Sequence, residues 1–495
     1  MMKMSWIVLI LAASVSCSGR SGKNQETAAG HVPAPAAGEG DESGGLPGWM
    51  RGVETGDRAG EKPEDAGTAP DAPSTSGTIG VIGAVAAVPT PPVAAGTEKW
   101  KQTIGYTTYR STIHLFDGKI VVNSNGADWK STSDAQDGVY VLDPATGNVL
   151  DQIVPPAGGE MDCNGVALTK DALFFGTDQD MFYRMDWSGK VKWKVSVSGD
   201  VESAPALADL DGDKVLDAVF GAEAGVFYAV DGKKGKVLWT VKASAGYYGA
   251  TGFLGAPALF DATGDGVEDV FVPCRDEFFR ALDGKTGKTV WQHKGSSAMH
   301  GAPVIVDADG DGKKEVLFTE AYSDVWCADA ATGSIKWKTT LTNPNGGIEG
   351  LFSPVGWYPD AGCALVATAW WQSGEGVYCL SGKTGAVLWR YAEASKNISS
   401  GAVIGDVDGK AGAEAVFGTE SGKIVAVDAA GQAVLSHIVG GPIECTPTLA
   451  DVDGDGDTEI IAAANNGSIY LVETPGKAPP VIPYHRGTPQ NDGNL

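Results

Sequence analysis

A glycine followed four residues later by tryptophan recurs along this chain: Gly189 to Trp193, Gly235 to Trp239, Gly287 to Trp291, Gly333 to Trp337 and Gly385 to Trp389, with Leu435 replacing tryptophan after Gly431. The glycines at 189, 235, 287, 333, 385 and 431 stand 46 or 52 residues apart. A fixed period of this length belongs to an array of identical supersecondary units, each burying its apolar face against its neighbours.

Within one period the elements are legible. Ala204 to Leu207 begins a strand, Asp209 to Asp213 turns the chain, and Asp217 to Phe220 returns. After Glu223-Ala-Gly225, Val226 to Val230 forms a third strand, and Asp231 to Gly235 reverses into a fourth, Lys236 to Val241. Four antiparallel strands per repeat predict the blade of an all-β propeller. Inner strands starting near Thr112, Cys163, Ser203, Gly255, Gly301, Phe352, Ser400 and Cys445 predict eight blades. The last repeat stops after Val472 without its fourth strand, and Glu98 to Ile104 has the pattern of the missing piece, so an N-terminal strand is expected to complete blade eight and close the ring.

The phrase carried by Asp143-Pro-Ala-Thr-Gly147, Asp283-Gly-Lys-Thr-Gly287 and Asp329-Ala-Ala-Thr-Gly333 resembles the tryptophan-docking repeat of quinoprotein-like propellers. The aspartate-rich inner turns resemble FG-GAP loops, the calcium loops of integrin propellers. Together the resemblances cover residues 97 to 475 and imply fold far more than function.

The first 96 residues are of another kind. Lys3, an apolar run from Trp6 to Ala13 and small residues before Cys17 make residues 1–16 a signal peptide. The small residues before Cys17 resemble a bacterial lipoprotein cleavage box, with Ser14 where such boxes carry an apolar residue, so Cys17 is the expected lipidation site. Residues 17–96, rich in Gly, Ala, Pro and acidic residues, are expected to form a disordered linker with an end-to-end distance of roughly 50 Å. The expected domain plan continues with a propeller over 97–482 and a tail over 483–495. The chain is then exported to the cell envelope, anchored to the outer membrane through lipid, or secreted if Cys17 is unmodified. A net charge of −25 argues against nucleic-acid partners and direct adhesion to anionic lipid. A monomer is expected.

Oxygen ligands at positions 1, 3, 5 and 9 of a loop suit calcium, a hard cation that takes six to eight oxygens. Four loops fit: Asp209, Asp211, Asp213 and Asp217; Asp261, Thr263, Asp265 and Asp269; Asp307, Asp309, Asp311 and Glu315; Asp451, Asp453, Asp455 and Glu459. A fifth, with Asp406, Asp408 and Glu414, carries Lys410 at position 5, and its ammonium is expected to replace the metal. Asp-Gly also makes plain tight turns, but three carboxylates within five residues repel one another without a cation. Any calcium here would be structural. In the resembling families such loops face away from the ligand site.

A ligand is therefore expected at the opposite rim, formed by the connections between blades and the turns joining second and third strands. The candidates there are Tyr106 and Tyr109 before blade one, Tyr247 and Tyr248 between blades three and four, Glu349 before blade six, and Trp370 and Trp371 within it. Asp162, Glu202, His300 and Glu444 head inner strands around the channel mouth. Aromatic rings beside carboxylates suit a glycan or a peptide, although a polar, watered channel would look the same. The periodic tryptophans read as packing residues. Of the cysteines, Cys327 and Cys379 occupy equivalent third-strand positions and Cys163 and Cys445 head inner strands, but spacing assigns no disulfide.

The favoured reading is a non-catalytic exported binding or scaffolding propeller with a protein or glycan partner in the envelope, similar in plan to propeller lipoproteins that help assemble outer-membrane proteins or hold surface polymers. The first alternative is an enzyme similar to quinone-dependent dehydrogenases. Those use a disulfide between consecutive cysteines over the quinone, and the chain has no Cys-Cys pair, so pyrroloquinoline quinone is not expected. Polysaccharide cleavage by Glu202 with His300 or Glu444 is a further alternative that nothing in their spacing selects. The tail, Pro483 to Gly493, resembles a segment found at the edges of such propellers and is expected to lie against the disc, with no role for His485 or Arg486.

Overall fold

The structure is a computed structural model. It describes residues 96–495 apart from 128–133, 157–160, 247–250, 343–349, 369–375, 393–397, 399, 478 and 485. The expected signal peptide, Cys17 and all but the last residue of the expected linker lie outside the described residues, as do Tyr247, Tyr248, Glu349, Trp370, Trp371 and His485.

All described regular structure is β, in eight four-stranded antiparallel sheets arranged as propeller blades. Blade three shows the plan: Ala206–Ala208, Asp217–Ala222, Val226–Val230 and Val237–Lys242, hydrogen-bonded in sequence order. Blade eight departs from it as expected, because Thr97–Thr103 pairs antiparallel with Ser468–Glu473 and supplies the fourth strand from the other end of the chain.

The glycine-tryptophan phrase turns out to be a contact between neighbouring blades. Trp239 of blade three donates its indole N–H to Gly284 O of blade four (2.7 Å), and its ring lies on Gly287, where an added Cβ would sit 2.6 Å from it. Trp193 makes the same contact with Gly232 O and Gly235, and Trp337 with Gly382 O and Gly385. Each glycine takes positive φ, +68° at Gly287, so the turn needs glycine for its backbone and for the ring above it. Trp100 docks on Gly147 of blade one in the same way, so the closing strand brings its own tryptophan. Gly189 has nothing over it, because blade one has Asp151 at the position where most blades have tryptophan and blade seven has Leu435. Between blades the core is aromatic, with Phe182 stacked on Phe220 at 3.8 Å and Phe279 on Phe318 at 4.1 Å.

The tail does more than lie against the disc. It enters the channel and bonds to the free inner edges of the blades. Leu168, Leu207, Leu259 and Ile305 donate their amides to Pro489, Gln490, Asp492 and Gly493, and Ile404 and Leu449 donate to Ile482 and Pro483. The Tyr484 hydroxyl donates to Leu115 O in blade one. Arg486, a residue with no expected role, is buried. Its guanidinium donates to Pro257 O, and its Nε to Asn491 O at 3.2 Å. The tail thereby pairs main-chain groups that would otherwise line an open channel.

Neither cysteine comparison from the sequence is a bond. Cys363 and Cys379, on the second and third strands of blade six, form a disulfide, and Cys163, Cys274, Cys327 and Cys445 are free and buried.

Candidate functional site

Alternation of strand direction puts the aspartate loops and the turns between third and fourth strands on one rim, here the lower. The interblade connections and the turns between second and third strands form the upper rim. The tail meets the inner strands toward their lower ends. The upper mouth remains as a vestibule lined by Tyr109, Arg110, Glu202, Leu254, His300 and Phe352, with Ser203 and three small residues, Ala204, Ala256 and Ala302, at its wall.

Three of the expected residues meet there. Arg110 spans two of its neighbours: its guanidinium pairs with Glu202 Oε1 at 2.8 Å, and its Nε donates to the Tyr109 hydroxyl at 3.2 Å. His300 packs on the Phe352 ring, with centroids 4.8 Å apart. Burial, with Arg275 nearby, drives the His300 pKa down to about 3, so it stands neutral. Glu444 is adjacent, accepting from the Tyr109 amide and the Asn465 side chain, and burial followed by repulsion from Glu420 pushes it up to about 7. Asp162 is buried beside Asp137, outside the vestibule lining. Tyr106 is a packing residue, 7% exposed, whose hydroxyl accepts from Asn465 at 3.0 Å. Ser203 and Phe352 were absent from the expected site, and Arg110 was expected only to stand with Tyr106 and Tyr109 before blade one, not as a ligand residue. The signal was available for Ser203 and Phe352, which stand at inner-strand starts, and for Arg110, which follows Tyr109.

On the lower rim each aspartate loop is wound around its own carboxylates. Asp209 accepts from the amides of Gly212 (2.8 Å) and Lys214 (2.9 Å), Asp307 from Gly310 and Gly312, Asp451 from Gly454 and Gly456, and Asp261 from Gly264 and Gly266. The last acid of each loop caps its second residue: Asp217 on Leu210, Asp269 on Ala262, Glu315 on Ala308, Glu459 on Val452. Carboxylate oxygens converge within 4.8 Å at Asp209, Asp211 and Asp217, at Asp307, Asp309 and Asp311, and at Asp451, Asp453 and Glu459. In blade four the Thr263 hydroxyl bonds to Asp269.

The loops differ in what faces those oxygens. In blade five the Lys336 ammonium reaches Asp309 at 2.8 Å, Asp311 at 3.5 Å and Glu315 at 2.5 Å, the position a cation would take. Lys410, expected in that role in blade seven, pairs with Asp408 at 2.6 Å but points outward, and Asp406, Asp408 and Glu414 still converge. In blade eight Glu459 is fully buried and its Oε1 has no hydrogen-bond partner, although Lys99 reaches the neighbouring Asp453 at 2.8 Å. An unpaired carboxylate oxygen within an all-oxygen cluster is a donor set that fits calcium.

Comparison with known proteins agrees with this architecture. The chain is similar in structure to BamB from Moraxella catarrhalis, with a TM-score of 0.53 at 14% identity, over 77% of this chain and 100% of that one. It is also similar to a europium-containing methanol dehydrogenase, with a TM-score of 0.55 at 13% identity, over 75% of this chain and 84% of that one. The quinohemoprotein alcohol dehydrogenase from Comamonas testosteroni gives a TM-score of 0.57 at 15% identity, over 77% of each chain. At these identities the likeness is one of fold. No curated protein matches the chain in sequence. The family described as outer membrane protein assembly factor BamB matches residues 135–348 and 275–478, most of the propeller, and the chain belongs to that family.

Proposed function

We propose that the chain is an exported, non-catalytic binding propeller of the cell envelope that holds a protein partner at its upper mouth. The observation that carries this reading is the vestibule: aromatic rings and an Arg110–Glu202 pair surround an opening whose lower end the chain fills with its own tail. Glu202 is committed to Arg110 and His300 is neutral, which suits recognition better than proton transfer. Membership of a family named for outer-membrane protein assembly supports a protein over a glycan. Pyrroloquinoline quinone has no part in this reading. Lipidation at Cys17 would tether the disc, and calcium would be structural, held most directly by Asp451, Asp453 and Glu459.

The test is co-purification of the full chain from envelopes, with Leu254→Asp on the upper rim and Lys233→Ala on the lower. Loss of a stoichiometric partner with the first substitution and retention with the second is expected. The reverse pattern, or no partner under either condition, would refute the assignment.

A further inference from the structure

What enters the upper mouth can be narrowed by charge and shape, on the assumption that this mouth is the binding site. The rim around it carries Asp178 and Asp180 in blade two, Asp200 and Glu202 in the next connection, and Glu223 in blade three. Among the described residues of the upper turns and connections there is no lysine, and the arginines are Arg110 and Arg275. The aspartate loops of the lower rim, in contrast, are each met by a lysine, as in Lys233–Asp213 and Lys285–Asp265.

Two polar atoms in the vestibule wall lack partners. Glu202 is 7% exposed and Ser203 3% exposed, and neither Glu202 Oε2 nor Ser203 Oγ makes a hydrogen bond. A buried acceptor left unpaired is destabilising, and a ligand donor would recover that loss. The rest of the wall is apolar, formed by Leu254, Ala256, Ala302 and Phe352. A sugar would need many polar partners, whereas a long aliphatic stem ending in a charge needs an apolar slot with an acid at its end. We infer that the vestibule takes a lysine or arginine side chain of the partner protein, its stem along Leu254 and Phe352 and its cationic head on Glu202 Oε2 and Ser203 Oγ. Glu202 then bridges two cations, Arg110 on one oxygen and the partner on the other. The surroundings agree: burial and then Asp178, Glu202, Glu223 and Asp180 push Asp200 up to about 8, a strain that an incoming cation relieves.

The experiment is calorimetric titration of the full chain with an oligolysine peptide, the same peptide acetylated on every lysine, and an oligoglutamate peptide. The oligolysine is expected to bind, to weaken as salt is raised, and to lose at least tenfold in affinity on acetylation. Glu202→Gln should abolish that difference, and Ser203→Ala, which leaves the Arg110 pair intact, should reduce it. Equal binding of the lysine and acetyl-lysine peptides, preference for oligoglutamate, or no binding of any peptide would overturn the inference. Partner capture by Glu202→Gln, scored beside Leu254→Asp, separates the two levels. Full capture by Glu202→Gln with loss by Leu254→Asp defeats this inference and leaves the binding site standing, whereas capture by both defeats the site.

Discussion

Among the described residues, the lower rim of the disc carries more carboxylates in its turns than the upper rim, and the two put them to different ends. On the lower rim acids fold back on their own loop amides, meet lysines, and in blade eight leave a buried oxygen open toward a metal-sized cluster. That rim also bears the tryptophan-glycine contacts and lies nearest the tail, so it holds the ring together. On the upper rim acids crowd one another around an opening, and Asp200 and Glu444 are driven up in pKa rather than stabilised. Burial raises acids on the lower rim too, Asp217 to about 6 and Glu414 and Glu459 to about 7, but each of these accepts from an amide of its own loop. Around the upper mouth Asp200 is raised by burial and by the acids crowded beside it, a cost that the proposed partner would relieve.

The sharpest way to break this contrast is to remove the tail. Deleting residues 482–495 strips hydrogen bonds from the inner edges of seven blades and should lower stability by roughly 5 kcal/mol or more, read as a fall in Tm with increased aggregation. A tail-less chain that melts like the full one would make the tail a passenger.

A smaller but cleaner comparison uses two glycines with the same backbone. Gly287 and Gly189 both have positive φ, but only Gly287 carries a tryptophan. Gly287→Ala should cost about 3 kcal/mol through strain and the displaced ring, and Gly189→Ala about 1 kcal/mol from strain alone. Equal losses in denaturant unfolding would show that the ring contact contributes nothing.

The repeat made this contact predictable in part. The period marked the tryptophans as packing residues and the truncated last repeat pointed to Trp100, because both follow from a unit that cannot bury its face alone. That each ring lies on the next blade's glycine was not legible, since it depends on how blades splay. The tail escaped for a different reason. Its bonds go to main-chain groups on strands far apart in sequence, which leave no side-chain period, and Arg486 is of a type rarely buried. The disulfide depended on register: Leu365, not Cys363, lies opposite Cys379, and blade-equivalent positions say nothing of such an offset. At the vestibule, inner-strand heads gave Glu202 and His300. Asp162 heads a strand too but turns toward Asp137, a choice made by local packing.

Calcium and pH sharpen the contrast further. Burial pushes Glu459 up to about 7. A carboxyl raised above its unfolded value destabilises the ionised fold, so in chelator stability should rise as pH falls from about 8 toward 5. Saturating calcium should add about 2–3 kcal/mol at pH 7.5, as at a hundredfold excess over Kd, and reverse the slope, because protons then compete with the metal. Glu459→Gln should remove most of the calcium increment. Substituting Asp309, whose loop Lys336 fills, should remove less. Equal calcium responses in the two variants would mean that the lysine does not take the cation's place.

The smallest effect belongs to the upper rim. Asp200→Asn should stabilise the chain by about 1 kcal/mol above pH 8, after allowance for solvent screening. The gain should vanish near pH 5, where Asp200, beside Asp178, Asp180, Glu202 and Glu223, is already protonated. A destabilised variant at high pH would mean that this acid is held by a favourable contact after all.

The most direct test of the division between rims is photo-crosslinking in intact envelopes, with a photoreactive residue placed either at Leu254 on the upper mouth or at Lys233 on the lower rim. A discrete adduct to one envelope protein from position 254 and none from position 233 is the predicted result. Adducts from the lower rim with a silent upper mouth would contradict the account.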